Sequence, residues 1–135
     1  MNICEEVKKL HLPLGEYVVV GSGPLAVRGI RNFNDIALLV SEQAYSRLSA
    51  RGWEETIGFG GRMRLKLGLY EAYQDLCYGD YRPDTKILIE QADIVNGIPF
   101  LQLEELIRFK KAVGREKDLA DIRLIEAYLA RSEGH

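Results

Sequence analysis

The chain has 135 residues, 47% of them hydrophobic, which is the size of one domain with material for its own core. Its net charge of -2 and sequence pI of about 5.7 exclude a broad electrostatic grip on duplex DNA or RNA, which needs a basic excess. Its longest apolar runs, such as Tyr17–Val20 and Ile36–Val40, fall far short of the roughly 20 residues of a bilayer span, so no membrane partner is expected.

The opening MNICEEVKKLHLPLG mixes charges with isolated apolar residues and has no secretory h-region, which predicts a cytoplasmic protein. Cys4 and Cys77 stand far apart, neither in a C-x-x-C pair; they read as ordinary thiols rather than a zinc knuckle or a disulfide framework. A short helix is predicted over 3–10, with Ile3, Val7 and Leu10 on one face, ended by Pro13 and Gly15. A strand is expected over 16–20, where Tyr17–Val20 are apolar without alternation, the signature of burial on both sides. The turn GSGP follows, where Ser22 or Gly23 is placed to cap a short helix with Pro24 at its first position and Gly29 at its end. A second buried strand is expected over 35–40, and Ser41 then caps a helix over 42–50.

The middle, residues 53–76, is rich in β signals, with charged and apolar residues alternating across 62–67, and it predicts two or three antiparallel strands. Asp84 caps a helix running to about Ala92, DIVNGIPF reads as strand and turn, and two helices close the chain over 103–113 and 116–130. Leu119, Ile122, Ile125 and Leu129 make one apolar stripe on the last. Strands early and helices late, with no linker or repeat between them, describe a single α+β domain over 1–135.

The segment GSGPLA admits a dinucleotide fingerprint of the G-x-G-x-x-A kind, with Glu42 about 20 residues on as the ribose acid. The short crossover, interrupted by Gly29, and the antiparallel middle weigh against it. A plain tight turn of small residues is the third alternative.

A strand ending in Val20-Gly21-Ser22, a short segment from Leu25 to Arg31, and a strand opening Asp35-Ile36-Ala37-Leu38 together resemble the nucleotidyltransferase superfamily that includes DNA polymerase beta. The C-terminal IPFLQLEELIRFKKAVGREKDLADIRLIEAYL is similar to the helical end of small bacterial members. The resemblance covers residues 16–42 and 93–129 and implies a mixed β-sheet with helices packed on it. It also implies transfer of a nucleoside monophosphate from a nucleoside triphosphate to a hydroxyl of unidentified acceptor. Paired Mg²⁺ would be held by carboxylates on adjacent strands, since this hard ion prefers oxygen and D-x-D puts two carboxylates on one strand face. On that pattern Asp35 is the first catalytic metal ligand, Glu71 or Asp75 supplies the third carboxylate with Glu71 favoured, and Gly21 and Ser22 form the phosphate turn. Ala37 stands where the second aspartate belongs and offers no oxygen, which predicts weak or absent transfer. The alternative is a non-catalytic module that binds nucleotide or a protein, a partner or a second copy, as one half of a bacterial two-component (toxin-antitoxin-like) pair.

Arg31 and Lys110 are further candidates for binding phosphate. Surface charge for Arg31 and a snorkelling stem for Lys110 are the plain alternatives, as an exposed strand acid is for Glu71 and Asp75. Arg28 is weighed with Arg31, beside Gly29. Lys117 is expected to meet a phosphate or pair with Asp121, Arg115 and Asp118 to tie the last two helices together, and Asp118 and Asp121 to suit a helix start. Tyr70, Tyr73, Tyr78 and Tyr81 offer stacking surfaces or ordinary packing. His11 and His135 are isolated and are assigned no role.

Overall fold

The computed structural model describes residues 2–133; His135 lies outside the described residues. Among the described residues, six α-helices and seven strands alternate irregularly. Helix α1 (Ile3–Lys8) stops two residues earlier than its apolar pattern suggests, and the Asn2 side chain caps it by accepting from the Glu5 N–H at 3.2 Å. Strand β1 (Tyr17–Val20) leads through the Gly21-Ser22 turn into α2 (Gly23–Val27), and β2 is Ile36–Val40. Helix α3 (Glu42–Ala50) is capped by Ser41, whose hydroxyl accepts from the Ala44 N–H.

Strands β3 (Glu54–Ile57), β4 (Met63–Leu67) and β5 (Tyr70–Tyr73) form an antiparallel meander, interrupted by a 3₁₀ turn at Phe59–Gly61. Helix α4 (Thr85–Glu90) is capped by Asp84. The DIVNGIPF segment makes a complete hairpin, β6 (Asp93–Val95) and β7 (Ile98–Phe100), rather than one strand and a turn. Its two-residue Asn96-Gly97 loop has positive φ at both positions, 52° and 79°, the geometry that matches the right-handed twist of the flanking strands. Helices α5 (Leu103–Val113) and α6 (Glu116–Glu133) complete the chain.

All strands join one mixed sheet in the order β3-β4-β5-β2-β1-β7-β6. Neighbours are antiparallel except β2 with β5 and β1 with β7, which run parallel. The central pair β1 and β2 is antiparallel, which removes the dinucleotide alternative, because that motif needs parallel strands joined by a right-handed crossover helix. Five-residue α2 could not provide that crossover.

Two cores explain why β1 and β2 carry no polar alternation. Tyr17, Val19, Leu38 and Val40 face one core with Ile3, Val7 and Leu48. Val18, Val20 and Leu39 face the other with Leu88, Leu106 and Ile125. A strand covered on both faces must be apolar throughout.

The stripe assigned to α6 needs correction. Leu119 is 44% exposed, whereas Asp118 and Asp121 are buried beside Ile122 and Ile125. The helix turns two carboxylates inward because cations wait for them there.

Candidate functional site

The site lies where β1 ends and β2 and β5 begin, beside the α5–α6 corner. Gly21 follows β1 with φ 67°, a left-handed conformation that favours glycine. A Cβ at that position would stand 3.3 Å from the Ala37 Cβ, so turn and strand meet here at close range. Val20 pairs with Ala37 across β1–β2, and Ala37 pairs with Glu71 across β2–β5. In-register neighbours point to the same face of a sheet, so Glu71 stands directly beside the alanine.

Asp35 falls just outside β2, in a bend, not at the strand's first residue as the sequence suggests. Its backbone carbonyl accepts a hydrogen bond from the Ser22 hydroxyl at 3.3 Å. Ser22 therefore ties the turn to the start of β2 and gives α2 no side-chain cap. Asp75 lies two residues beyond the end of β5, so it does not share a strand face with Glu71.

Two adjoining depressions carry these residues. One, of about 280 Å³, is lined by Gly21, Ala37, Glu71 and Asp75 together with Arg62, Arg64, Arg115 and Lys117. The second, of about 380 Å³, is lined by Ser22, Arg31 and Lys110 with Asp118 and Asp121, and it shares Gly21, Arg115 and Lys117 with the first. Asp35 lines neither, although its charge helps to hold the Arg64 guanidinium protonated.

Glu71 is engaged by cations. Arg64 donates to it at 2.7 Å, Lys66 lies at 3.8 Å, and the Tyr73 hydroxyl donates at 3.4 Å. Arg64 is steadied from behind by the Thr56 hydroxyl at 3.1 Å. Burial works against its charge, but the Tyr73 hydroxyl and the Glu71 carboxylate outweigh that and raise the Arg64 pKa. Asp75 is held by Arg62 at 2.9 Å and accepts from the Cys77 N–H.

Lys110 is buried rather than snorkelling. Its ammonium meets Asp121 at 2.9 Å and Asp118 at 3.5 Å, and so locks α5 to α6. Arg31 grips Asp121 with two parallel hydrogen bonds of 2.8 Å, the fork geometry that makes arginine–carboxylate pairs strong. These bonds raise the Arg31 pKa. Burial alone would push the Asp121 carboxyl up, but Arg31 and Lys110 more than offset it and hold that carboxyl below its usual range. Asp118 behaves alike: burial is outweighed by Arg115 and Lys110.

The expected Lys117–Asp121 pair is not formed; Lys110 and Arg31 take that carboxylate. Arg115 and Asp118 do pair, at 2.7 Å, but within one turn of chain, so the tie between the helices is made by Lys110. Arg28 pairs with Asp93 at 2.7 Å, away from both depressions.

The tyrosines divide. Tyr70 packs on Trp53, Tyr78 stacks on Phe59 at 5.5 Å, Tyr81 meets Phe109 edge-on, and Tyr73 reaches into the first depression. Phe59 also carries the Arg115 guanidinium 4.8 Å above its ring.

This donor set does not suit a pair of Mg²⁺ ions. Ala37 has no oxygen to give, Glu71 is claimed by Arg64, and Asp75 by Arg62. Among the described residues no three acidic, histidine or cysteine side chains gather as metal ligands. Arg62 and Arg64 escaped the sequence reading, although the alternation RMRLKL carried their signal: residues 62, 64 and 66 are all basic and share a strand face.

No protein-family model, curated protein or solved structure matches the chain. No helix among the described residues is long and apolar enough to cross a membrane.

Proposed function

We propose that this protein is a nucleotide-binding domain built on the nucleotidyltransferase plan that no longer transfers nucleotides. The observation that carries the reading is the in-register pair of Ala37 with Glu71, whose carboxylate Arg64 holds at 2.7 Å. Transfer on the superfamily's pattern needs carboxylate oxygens at both positions, free to hold metal. Here one position has no oxygen and the other is neutralised by a guanidinium.

Support for the ancestry comes from the antiparallel β1–β2 pair joined through Gly21-Ser22 and α2, and from β5 lying parallel beside β2. That arrangement brings an acid of β5 next to the strand that opens after Asp35, as the resemblance requires. The basic depressions beside the Gly21-Ser22 turn supply the charge a triphosphate needs. Fold analogy alone transfers architecture better than activity; the side chains of Ala37, Glu71 and Arg64 carry the functional reading.

The test compares the natural chain with Ala37→Asp for nucleoside triphosphate binding and for transfer of an α-phosphate label to RNA, protein and small hydroxyl acceptors. The expected result is binding without transfer by the natural chain. Label transfer by the natural chain would overturn the non-catalytic reading. Absence of nucleotide binding in both chains would overturn the nucleotide site and favour a protein-interaction module.

A further inference from the structure

Six basic side chains line the two depressions: Arg31, Arg62, Arg64, Lys110, Arg115 and Lys117. Four carboxylates oppose them, Glu71, Asp75, Asp118 and Asp121. The positive excess is not spread evenly. Arg31 and Lys110 are consumed by Asp121 and Asp118. Among the residues that line both depressions, Lys117 is exposed and forms no ion pair among the described residues, and Arg115 is exposed and shares Asp118 with Lys110. In the first depression, Arg62 is anchored by Asp75 and the Cys77 carbonyl, yet its buried Nε has no hydrogen-bond partner among the described residues. Arg64 is oriented by Thr56 and Glu71.

Guanidinium groups fixed by one carboxylate still present further N–H donors, and their planar forks match phosphate oxygens. Basic groups from β4 and its preceding turn and from the start of α6 line one depression, and a second depression shares Gly21, Arg115 and Lys117 with it; such a run of cations suits an extended anion better than a single phosphate. We infer that this double depression binds a polyphosphate chain, free or as the triphosphate of a nucleotide, through arginine and lysine side chains and without a divalent cation. The nucleoside part of this inference rests on the function proposed above; the polyphosphate part stands on the charge arrangement alone.

The inference has a sign that distinguishes it from metal-assisted binding. Mg²⁺ in solution chelates polyphosphate and neutralises it, so it competes with the basic side chains for the ligand. To assist from the protein side it would have to displace Arg64 from Glu71. Added Mg²⁺ therefore weakens binding here, where a metal-bridged site would need it.

Isothermal titration calorimetry with inorganic tripolyphosphate, ATP and GTP, first in EDTA and then in excess MgCl₂, tests this. Binding in EDTA that becomes severalfold weaker in MgCl₂ is expected. Lys117→Ala and Arg115→Ala alter exposed residues and should each lower tripolyphosphate affinity about tenfold, as expected for loss of one charge-assisted contact. Nucleotide binding seen only with Mg²⁺ would overturn the inference while leaving the nucleotide reading intact. Tripolyphosphate binding in EDTA with nucleotides no tighter would uphold it and remove the nucleoside from the proposed function. No binding of any ligand, or unchanged affinity in both variants, would overturn the site.

Discussion

Two clusters of basic residues lie within one corner of this molecule, and they differ in what surrounds them. At the α5–α6 junction, Lys110 and Arg31 are matched by Asp118 and Asp121, with the two carboxylates and the lysine buried. In the neighbouring depression, Arg62 pairs with Asp75, Arg64 with Glu71 and the exposed Arg115 with Asp118, which Lys110 already holds, while Lys117 forms no ion pair among the described residues. The first cluster is closed on itself and the second keeps positive charge in reserve. A basic residue near a glycine turn is thus no sign of ligand binding until its carboxylates are counted. The closed cluster holds the corner in place, and the open one is free to meet an anion.

The comparison breaks most visibly if the closed cluster is opened. Asp121→Ala leaves Lys110 buried with half its partners gone and frees Arg31, and it should cost about 3–5 kcal/mol of stability, the usual penalty for orphaning a buried charge. Urea denaturation measures it. A loss below about 1 kcal/mol would mean that the network does not hold the α5–α6 corner.

Acid should find the same cluster. The Asp118 and Asp121 carboxyls both lie below their ordinary value of 3.8 in the folded chain, so the unfolded chain takes up their protons first as pH falls. Their stabilising contribution is complete above the unfolded value and is lost as pH drops through the lower folded values. Urea midpoints followed from pH 6 to pH 2.5 should fall steeply below about pH 4, and less steeply in Asp121→Asn measured against its own value at pH 6. Equal slopes would show that other acids govern the acid limb.

A smaller effect is expected at the turn. Gly21→Ala forces a side chain into a left-handed backbone and brings its Cβ to 3.3 Å from that of Ala37, which should cost about 1–2 kcal/mol. Thermal unfolding checks it. An unchanged midpoint would mean that the turn relaxes freely and does not fix the floor of the depression.

The smallest stability change belongs to the open cluster. Lys117→Ala should leave stability within about 0.5 kcal/mol of the parent, as surface substitutions do, while anion affinity falls. A large loss of stability would erase the distinction between the clusters.

Much of the architecture was legible from periodicity. The bounds of α5 agree with the sequence expectation, and the caps at Ser41 and Asp84 were readable from residue type and spacing. Pairing was not legible. That β5 lies parallel beside β2 depends on contacts between segments over thirty residues apart, which no local pattern encodes. The site was partly legible for the same reason. Gly21, Ala37 and Glu71 could be named from their motif context, and they do meet. The sequence pattern puts Asp35 inside β2, but the Ser22 hydroxyl takes its carbonyl and the strand begins one residue later. The pattern around Lys110 fits a phosphate ligand or a snorkelling stem, because its two partners lie on another helix whose apolar stripe points to Leu119 as the core residue instead.

The central claim is that an extended anion is held between Arg64 and Lys117 beside Gly21 without metal. Its most direct test is an ¹⁵N-detected NMR titration of the full chain with tripolyphosphate in EDTA, reading backbone amides and arginine Nε–H signals. Saturable shifts centred on Gly21, Arg62, Arg64, Arg115 and Lys117 are predicted, with Arg47 and Lys86, which line a separate depression beside Val40 at the other end of β2, unmoved. Shifts confined to that other region, or none until Mg²⁺ is added, would contradict it.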